Sequence, residues 1–373
     1  MKKLITIILI LAVASVGLIL GCAKEEKEIR IGVILPLTGS LAKYGEWSKT
    51  ALEIARDQIN VAGGINGKRI ELLLEDSRSE PKDAVTVFRK LVNLHRVPVI
   101  VGLIGSSEVL ACAPVANETR TVLLSTVGAS PKITEAGDYV FRVRISGTQE
   151  VTEIARIAYN KLGLKRMAVL FINTDYGLSY KDIFVQSFQE LGGEILLAEG
   201  FDQGETDFRT HLTKLKKLER LDGVYLPTHI TEGANIVKQA REIGLRIQFL
   251  ASNAIEGPEL LQIAGDAAEG LIYTAPWYDP SSSETHIRRF DDEFFERTGM
   301  HSEMFAAHAY DALRIVASVL ETNEYRAESI KKALYSVKEY PGVSGLTTFD
   351  SNGDVTKPVA TKKVVGGRFI FVE

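Results

Sequence analysis

The chain has 373 residues, of which 44 are basic and 48 acidic, for a formal net charge of −4. That length exceeds the roughly 250–300 residues that one hydrophobic core organises, so two lobes with sizeable cores are expected. Balanced charge with no Lys/Arg block argues against a phosphate backbone, and no nucleic-acid partner is expected.

Taken in chain order, the first element is a targeting segment. Lys2 and Lys3 supply a positive end, and Leu4 to Leu20 form an apolar stretch near the lower limit for spanning a bilayer. "LILGC" then places Gly21 before Cys22 and resembles a bacterial-type lipobox, although Ile19 stands where Leu is commonest. This reading makes residues 1–22 a signal peptide whose cleavage frees the Cys22 amine, with a diacylglyceryl group on its thiol; the other reading is an uncleaved signal anchor. Both put residues 23–373 outside the cytoplasmic membrane, in the periplasm or on the cell surface. Two acyl chains at ~0.8 kcal/mol per buried methylene make a firm lipid anchor. With Cys22 acylated, only Cys112 remains. It sits in "EVLACAPVA", a stretch with buried-helix character where Cys serves as a small hydrophobe.

From residue 28 onward, short apolar runs alternate with segments of helical period, the pattern of βα units on a parallel sheet. "IRIGVIL" (29–35) is the first strand, and a helix follows over 45–60 with Ala51, Ile54, Ala55 and Ile59 on one face. "VAGGING" breaks it before the strand "RIELLLED", and Pro81 opens a helix with Val85, Phe88 and Val92 on one stripe. "VPVIVG", the helix through Cys112 and "TVLLS" complete a first lobe. A second lobe repeats the rhythm with "RMAVLFI", "EILLA", "DGVYLP", "QFLAS" and "GLIYTAP", separated by helical patterns near 177–191, 207–219, 232–243 and 257–264. After Trp277 come two long helical stretches, 284–297 and 303–320, then "TTFD" and "KKVVGGRFIFV". Helices placed after a complete second lobe predict a return to the first. The expectation is α/β: two Rossmann-like lobes with parallel-sheet cores and a cleft at the strands' carboxyl ends.

Catalytic and cofactor signals fail on spacing. "GGINGKR" lacks the four residues that a phosphate loop needs between its glycines and reads as a turn. The six histidines form no His-Glu-x-x-His or Cys/His cluster, and no Gly-x-Ser-x-Gly elbow exists. No cofactor, metal or enzymatic activity is expected. "NET" (117–119) is a chance sequon in a helical stretch, and "KLKKLER" is a solvated helix face.

The stretch from "ILPLTGSLAKYGEW" to "EDSRSEP" resembles the opening of the branched-chain amino acid (Leu/Ile/Val) binding proteins, the type I periplasmic binding proteins of ABC importers. "FRVRISGTQE", "NTDYGLSYKDIF", "FDQGETDFRTHLTKLK" and "VKQAREIGLRIQFLASNAIEG" follow in the family's order, so the resemblance covers nearly all of 28–360. It implies a three-segment hinge with crossings near 147, 277 and 355. One lobe is then 28–147 plus 277–355, and the other 148–276 plus 356–373.

The resemblance also implies a ligand site. A carboxylate would be held by Ser106 in "GLIGSSE" and by backbone groups of Val127, Gly128 and Ala129 in "STVGASP", whose small side chains allow close approach. Read without the family, that loop is an ordinary connection in which Ser130-Pro131 starts a helix. Ala129 stands where branched-chain binders usually carry Thr, unless Ser130 or Thr126 replaces the hydroxyl. Tyr176 matches a ligand-facing Tyr of the second lobe, and His229 falls at an aromatic position. Asn253 stands where amino-acid binders place a carboxylate for the ligand ammonium. Either the ligand lacks an ammonium group, or Asp175, Glu256 or Asp279 supplies the charge. Tyr44, beside Trp47, and Trp277, beside Tyr278, offer aromatic wall; for Trp277 a place at the hinge is an equal alternative.

The functional expectation is a monomeric, lipid-anchored substrate-binding protein. It would capture an amino acid or a related small carboxylate or amide by lobe closure and present it to ABC permease subunits. The alternative is a ligand-sensing receptor module of the same fold.

Overall fold

A computed structural model describes residues 28–372; the expected signal peptide and Cys22 lie outside the described residues. The first lobe is built on a five-stranded parallel sheet in the order β2-β1-β3-β4-β5. Its strands are β1 (Glu28–Leu35), β2 (Arg69–Asp76), β3 (Val99–Gly102), β4 (Val122–Ser125) and β5 (Val140–Arg142). β3 and β4 are buried at every residue, so each needs helix on both faces, and their continuous apolar runs reflect that demand. α1 (Ala42–Val61), α2 (Pro81–Asn93) and α3 (Ser106–Thr119) supply much of that cover. Gly102 ends β3 at φ +122, where an added Cβ would collide with the Ile34 carbonyl; the chain turns there against β1.

The second lobe repeats the same order. β6 (Arg166–Ile172), β7 (Glu194–Phe201), β8 (Gly223–Leu226), β9 (Gln248–Ser252) and β10 (Ile272–Pro276) form a parallel sheet ordered β7-β6-β8-β9-β10. The intervening helices are α4 (Gly147–Arg156), α5 (Asp175–Glu190), α6 (Arg209–Lys216), α7 (Ile230–Glu242) and α8 (Pro258–Ala264).

After β10 the chain leaves this sheet. α9 (Thr285–Thr298), α10 (Met304–Thr322) and α11 (Ala327–Tyr335) follow, and α10 packs along α1 while α11 reaches β4. A small hairpin, β11 (Tyr340–Gly342) with β12 (Gly345–Thr347), comes next. The chain then returns to pair β13 (Val359–Val365) antiparallel with β10, and β14 (Arg368–Val372) with β13. "KKVVGGRFIFV" is therefore a hairpin that turns at Gly366 and Gly367, both at positive φ. The three-residue β5, α4 and α11 are elements that the sequence patterns do not announce.

In each sheet the strand order reverses once, between β1 and β3 and between β6 and β8. Ligands of open α/β sheets bind outside the carboxyl ends of strands at such switch points. Among the described residues, no helix is long and apolar enough to cross a membrane, and no group of His, Cys, Asp and Glu is arranged to hold a metal.

A cavity between two lobes

The carboxyl ends of the two sheets face each other across a cavity of about 440 Å³. The first lobe contributes the segments 39–41, 78–81 and 104–108 with Tyr44, Val127 and Ala129; α10 adds Phe305. Across from them stand Asn173, Thr174, Tyr176, Gln203, His229, Asn253 and Ala254, with Arg144 at the crossing that follows β5.

Hydrogen bonds and an ion pair cross between the lobes around the cavity. The Tyr44 hydroxyl donates to the Ala254 carbonyl at 2.6 Å and accepts the Ile230 N–H at 2.9 Å. Ser130 and Ser179 hydroxyls meet at 2.8 Å, the Asp175 N–H reaches Ser107 Oγ at 3.1 Å, and Lys132 pairs with Asp175 at 2.9 Å.

The loop after β4 shows what its small residues do. The Gly128 N–H donates to Ser125 Oγ at 2.9 Å, and the Ala129 and Ser130 N–H groups both donate to Ser106 Oγ, at 3.1 and 3.0 Å. Its carbonyls go to a buried arginine: Arg142 Nη1 reaches Ser130 O at 2.9 Å and Gly128 O at 3.5 Å. Arg142 is in turn clamped by Asp354, Nε to Oδ1 at 2.7 Å and Nη2 to Oδ2 at 2.6 Å. Larger side chains at 128–130 would crowd this double anchorage. Ser130 also caps the short 3₁₀ turn 131–135, so the loop serves the helix start and the cavity wall together. Neither Ser130 nor Thr126 lines the cavity, so no hydroxyl there stands in for the Thr absent at 129.

At the base of the cavity lies a buried polar network. Arg144 Nη2 contacts Glu150, the Tyr180 hydroxyl at 3.0 Å and Asn253 Oδ1 at 2.9 Å, while Nη1 donates to Ile145 O at 2.8 Å. Tyr180 donates to the same Glu150 oxygen at 2.7 Å. Burial works against the guanidinium charge, but Glu150 and Tyr180 outweigh it and hold Arg144 protonated. The wall beside this network is aromatic. Tyr176 stacks on His229 with centroids 5.6 Å apart, and Tyr44 on Phe305 at 4.5 Å. Burial pushes the His229 imidazole below its usual pKa, so the ring is a neutral plate rather than a cation.

A family model described as "Periplasmic binding protein" matches residues 28–368. The chain belongs to the periplasmic binding protein family. It is 28% identical over 332 residues to the leucine-, isoleucine-, valine-, threonine- and alanine-binding protein of Pseudomonas aeruginosa, covering 88% of this chain and 87% of that one. Its fold is similar to that of a Streptococcus pneumoniae branched-chain amino acid transporter substrate-binding protein solved with isoleucine. The TM-score is 0.86 at 28% identity, over 92% of this chain and 97% of the other. A Rhodopseudomonas palustris solute-binding protein of an ABC transporter, in complex with 3,4-dihydroxybenzoic acid, shares the fold at TM-score 0.83 and 24% identity, over 93% and 97%.

In this periplasmic binding protein, Tyr44, Ser106, Val127, Ala129, Tyr176, His229 and Asn253 line the cavity. Gly128 and Trp277 do not. Gly128 is turned inward: a Cβ there would meet Ile133, Ser125 and Val109 of the first lobe's interior. Trp277 sits where the chain leaves β10, its backbone N–H bonded to Pro358 O at 2.9 Å. The three carboxylates considered for a ligand ammonium also lie off the wall. Asp175 pairs with Lys132, Glu256 with Lys362 at 2.7 Å, and Asp279 caps Ser281. Arg144 and Phe305 are among the wall residues that sequence reasoning missed. For Arg144 a signal existed, an arginine between Val143 and Ile145 in "VFRVRI"; for Phe305, one of many buried residues on a mostly buried helix, none did.

Proposed function

We propose that this protein is the extracytoplasmic substrate-binding component of an ABC importer, capturing an amino acid or a related small carboxylate or amide by closure of its two lobes. The observation that carries the reading is the cavity itself, walled by both lobes and latched across them by the Tyr44 hydroxyl. The moving bodies are 28–147 plus 277–355 and 148–276 plus 356–373. The ligand-binding set is Tyr44, Ser106, Val127, Ala129, Tyr176, His229 and Asn253. Ligand bound to both walls shifts the population toward the closed form, which is the form offered to the permease. Acylation of Cys22 would tether a monomer to the membrane. A sensor of the same fold has no specific observation in its favour.

Small-angle scattering on protein stripped of ligand, with mass spectrometry of what stripping releases, tests the reading. The expected outcome is a small acid or amide released at near-equal stoichiometry and an expanded shape that compacts when it is returned. No released molecule and a shape indifferent to candidate solutes overturn it.

A further inference from the structure

The bonding capacity left over on the cavity wall constrains the ligand's charge. An α-amino acid brings an ammonium group, and burying one without an acceptor, preferably anionic, is costly. Several of the wall's polar side chains are committed in ways that leave donors, and the acceptors left on Asn173 and Gln203 are neutral amide oxygens. Ser106 Oγ accepts two backbone N–H groups, which occupies both lone pairs and leaves only its O–H to offer. Asn253 spends Oδ1 on Arg144, leaving its amide N–H groups. Arg144, 1% exposed, has an Nε without a hydrogen-bond partner. The Tyr44 hydroxyl is used in both directions by the interlobe latch. His229 brings at most one lone pair and no charge.

Two carboxylates touch the wall, Glu80 and Glu108. Glu80 is exposed at the rim. Glu108 is buried and closes the first turn of α3: Oε2 accepts the Gly105 N–H at 3.0 Å, while Oε1 has no hydrogen-bond partner. Glu108 is 2% exposed and no cation pairs with it; that burial raises its pKa and favours the neutral carboxyl, whose unpartnered oxygen is then a further donor rather than an anion for an ammonium.

We propose that the ligand of this cavity is a carboxylate without an ammonium group, and that Arg144 reads its charge while Asn253 and Ser106 supply neutral donors. The inference rests on the substrate-binding reading and narrows it. Glu150 and Tyr180 are positioning residues: their hydrogen bonds hold the guanidinium plane. The planar fork suits a carboxylate where lysine would not, because its donors are fixed in direction. The Tyr176–His229 and Tyr44–Phe305 stacks then face the apolar body of the acid.

Calorimetry on the unmutated protein with matched pairs decides it: leucine against 4-methylpentanoate, valine against 3-methylbutanoate, phenylalanine against 3-phenylpropanoate. The deaminated acid is expected to bind at least tenfold more tightly in at least one pair, and the molecule released on denaturation to lack an amine. Arg144→Lys, and Asn253→Asp, which diverts Arg144 into a second ion pair, should each weaken the acid at least tenfold while keeping a cooperative thermal transition. An amino acid that outbinds its deaminated partner, or an amine in the released molecule, overturns the inference and leaves the substrate-binding reading standing. Loss of that amino-acid binding in Glu108→Gln would reassign the ammonium to Glu108. No heat from any compound and no released molecule overturn both readings together.

Discussion

Tyr44 shows how one atom can set an equilibrium between two bodies. Its hydroxyl is anchored to α1 in one lobe and satisfies two backbone groups in the other, Ala254 O and Ile230 N. Both groups have water as a partner when the lobes part, so the bonds favour closure only by their net worth, about 0.5–1.5 kcal/mol each. Tyr44→Phe keeps the ring on Phe305 and removes both bonds. Ligand affinity is expected to fall about tenfold, mostly through faster dissociation; equal dissociation rates by stopped flow would remove Tyr44 from the latch. At this scale the sequence was only partly legible. The smallness of "STVGASP" was visible, but not that its N–H groups serve Ser125 and Ser106 rather than standing free. Nor was Arg144 visible as a wall residue, because its role depends on Glu150 and on Asn253, which is 109 residues away in sequence.

Among the elements, α10 joins stability to the site. Glu303 caps its first turn, accepting the Phe305 N–H at 2.6 Å and the Ala306 N–H at 2.8 Å, and so fixes the turn that carries Phe305 to the cavity. Burial raises the Glu303 carboxyl to about 8 against the pull of those two N–H groups. The folded protein therefore holds a proton that the unfolded chain, near 4.3, gives up. Its contribution to stability is complete below the unfolded value and is lost as pH rises through about 8. Glu303→Gln keeps an acceptor for the cap and has no proton to lose. The variant's melting temperature is expected to fall less between pH 5 and 9 than that of the unmutated protein, and parallel curves would refute the assignment. Most helices, α4 and α11 excepted, were legible within a few residues because periodicity survives burial on one face: the expected 284–297 and 303–320 are α9 (Thr285–Thr298) and α10 (Met304–Thr322). β5 was not, since three residues are too few to show a period.

For the whole molecule, the repeated sheet order makes two similar halves, and the alternation of strand and helix made that plan readable from end to end. The pairing of β13 with β10 was harder to foresee, since nothing local in "KKVVGG" says which strand it will meet. The same late returns have a consequence for how the protein is made. α1 has no long partner until α10 exists, and β10 remains an open edge until β13 arrives. Neither lobe can finish its core while the chain is still being synthesised through residue 300, and contacts so distant in sequence form slowly. A nascent chain stopped at 300 is expected to be digested by a protease dose that leaves the finished protein intact; resistance of the short chain would disprove this. A protein bound for the far side of a membrane gains from that delay, because a chain that has not yet folded can still be threaded through a narrow translocation channel.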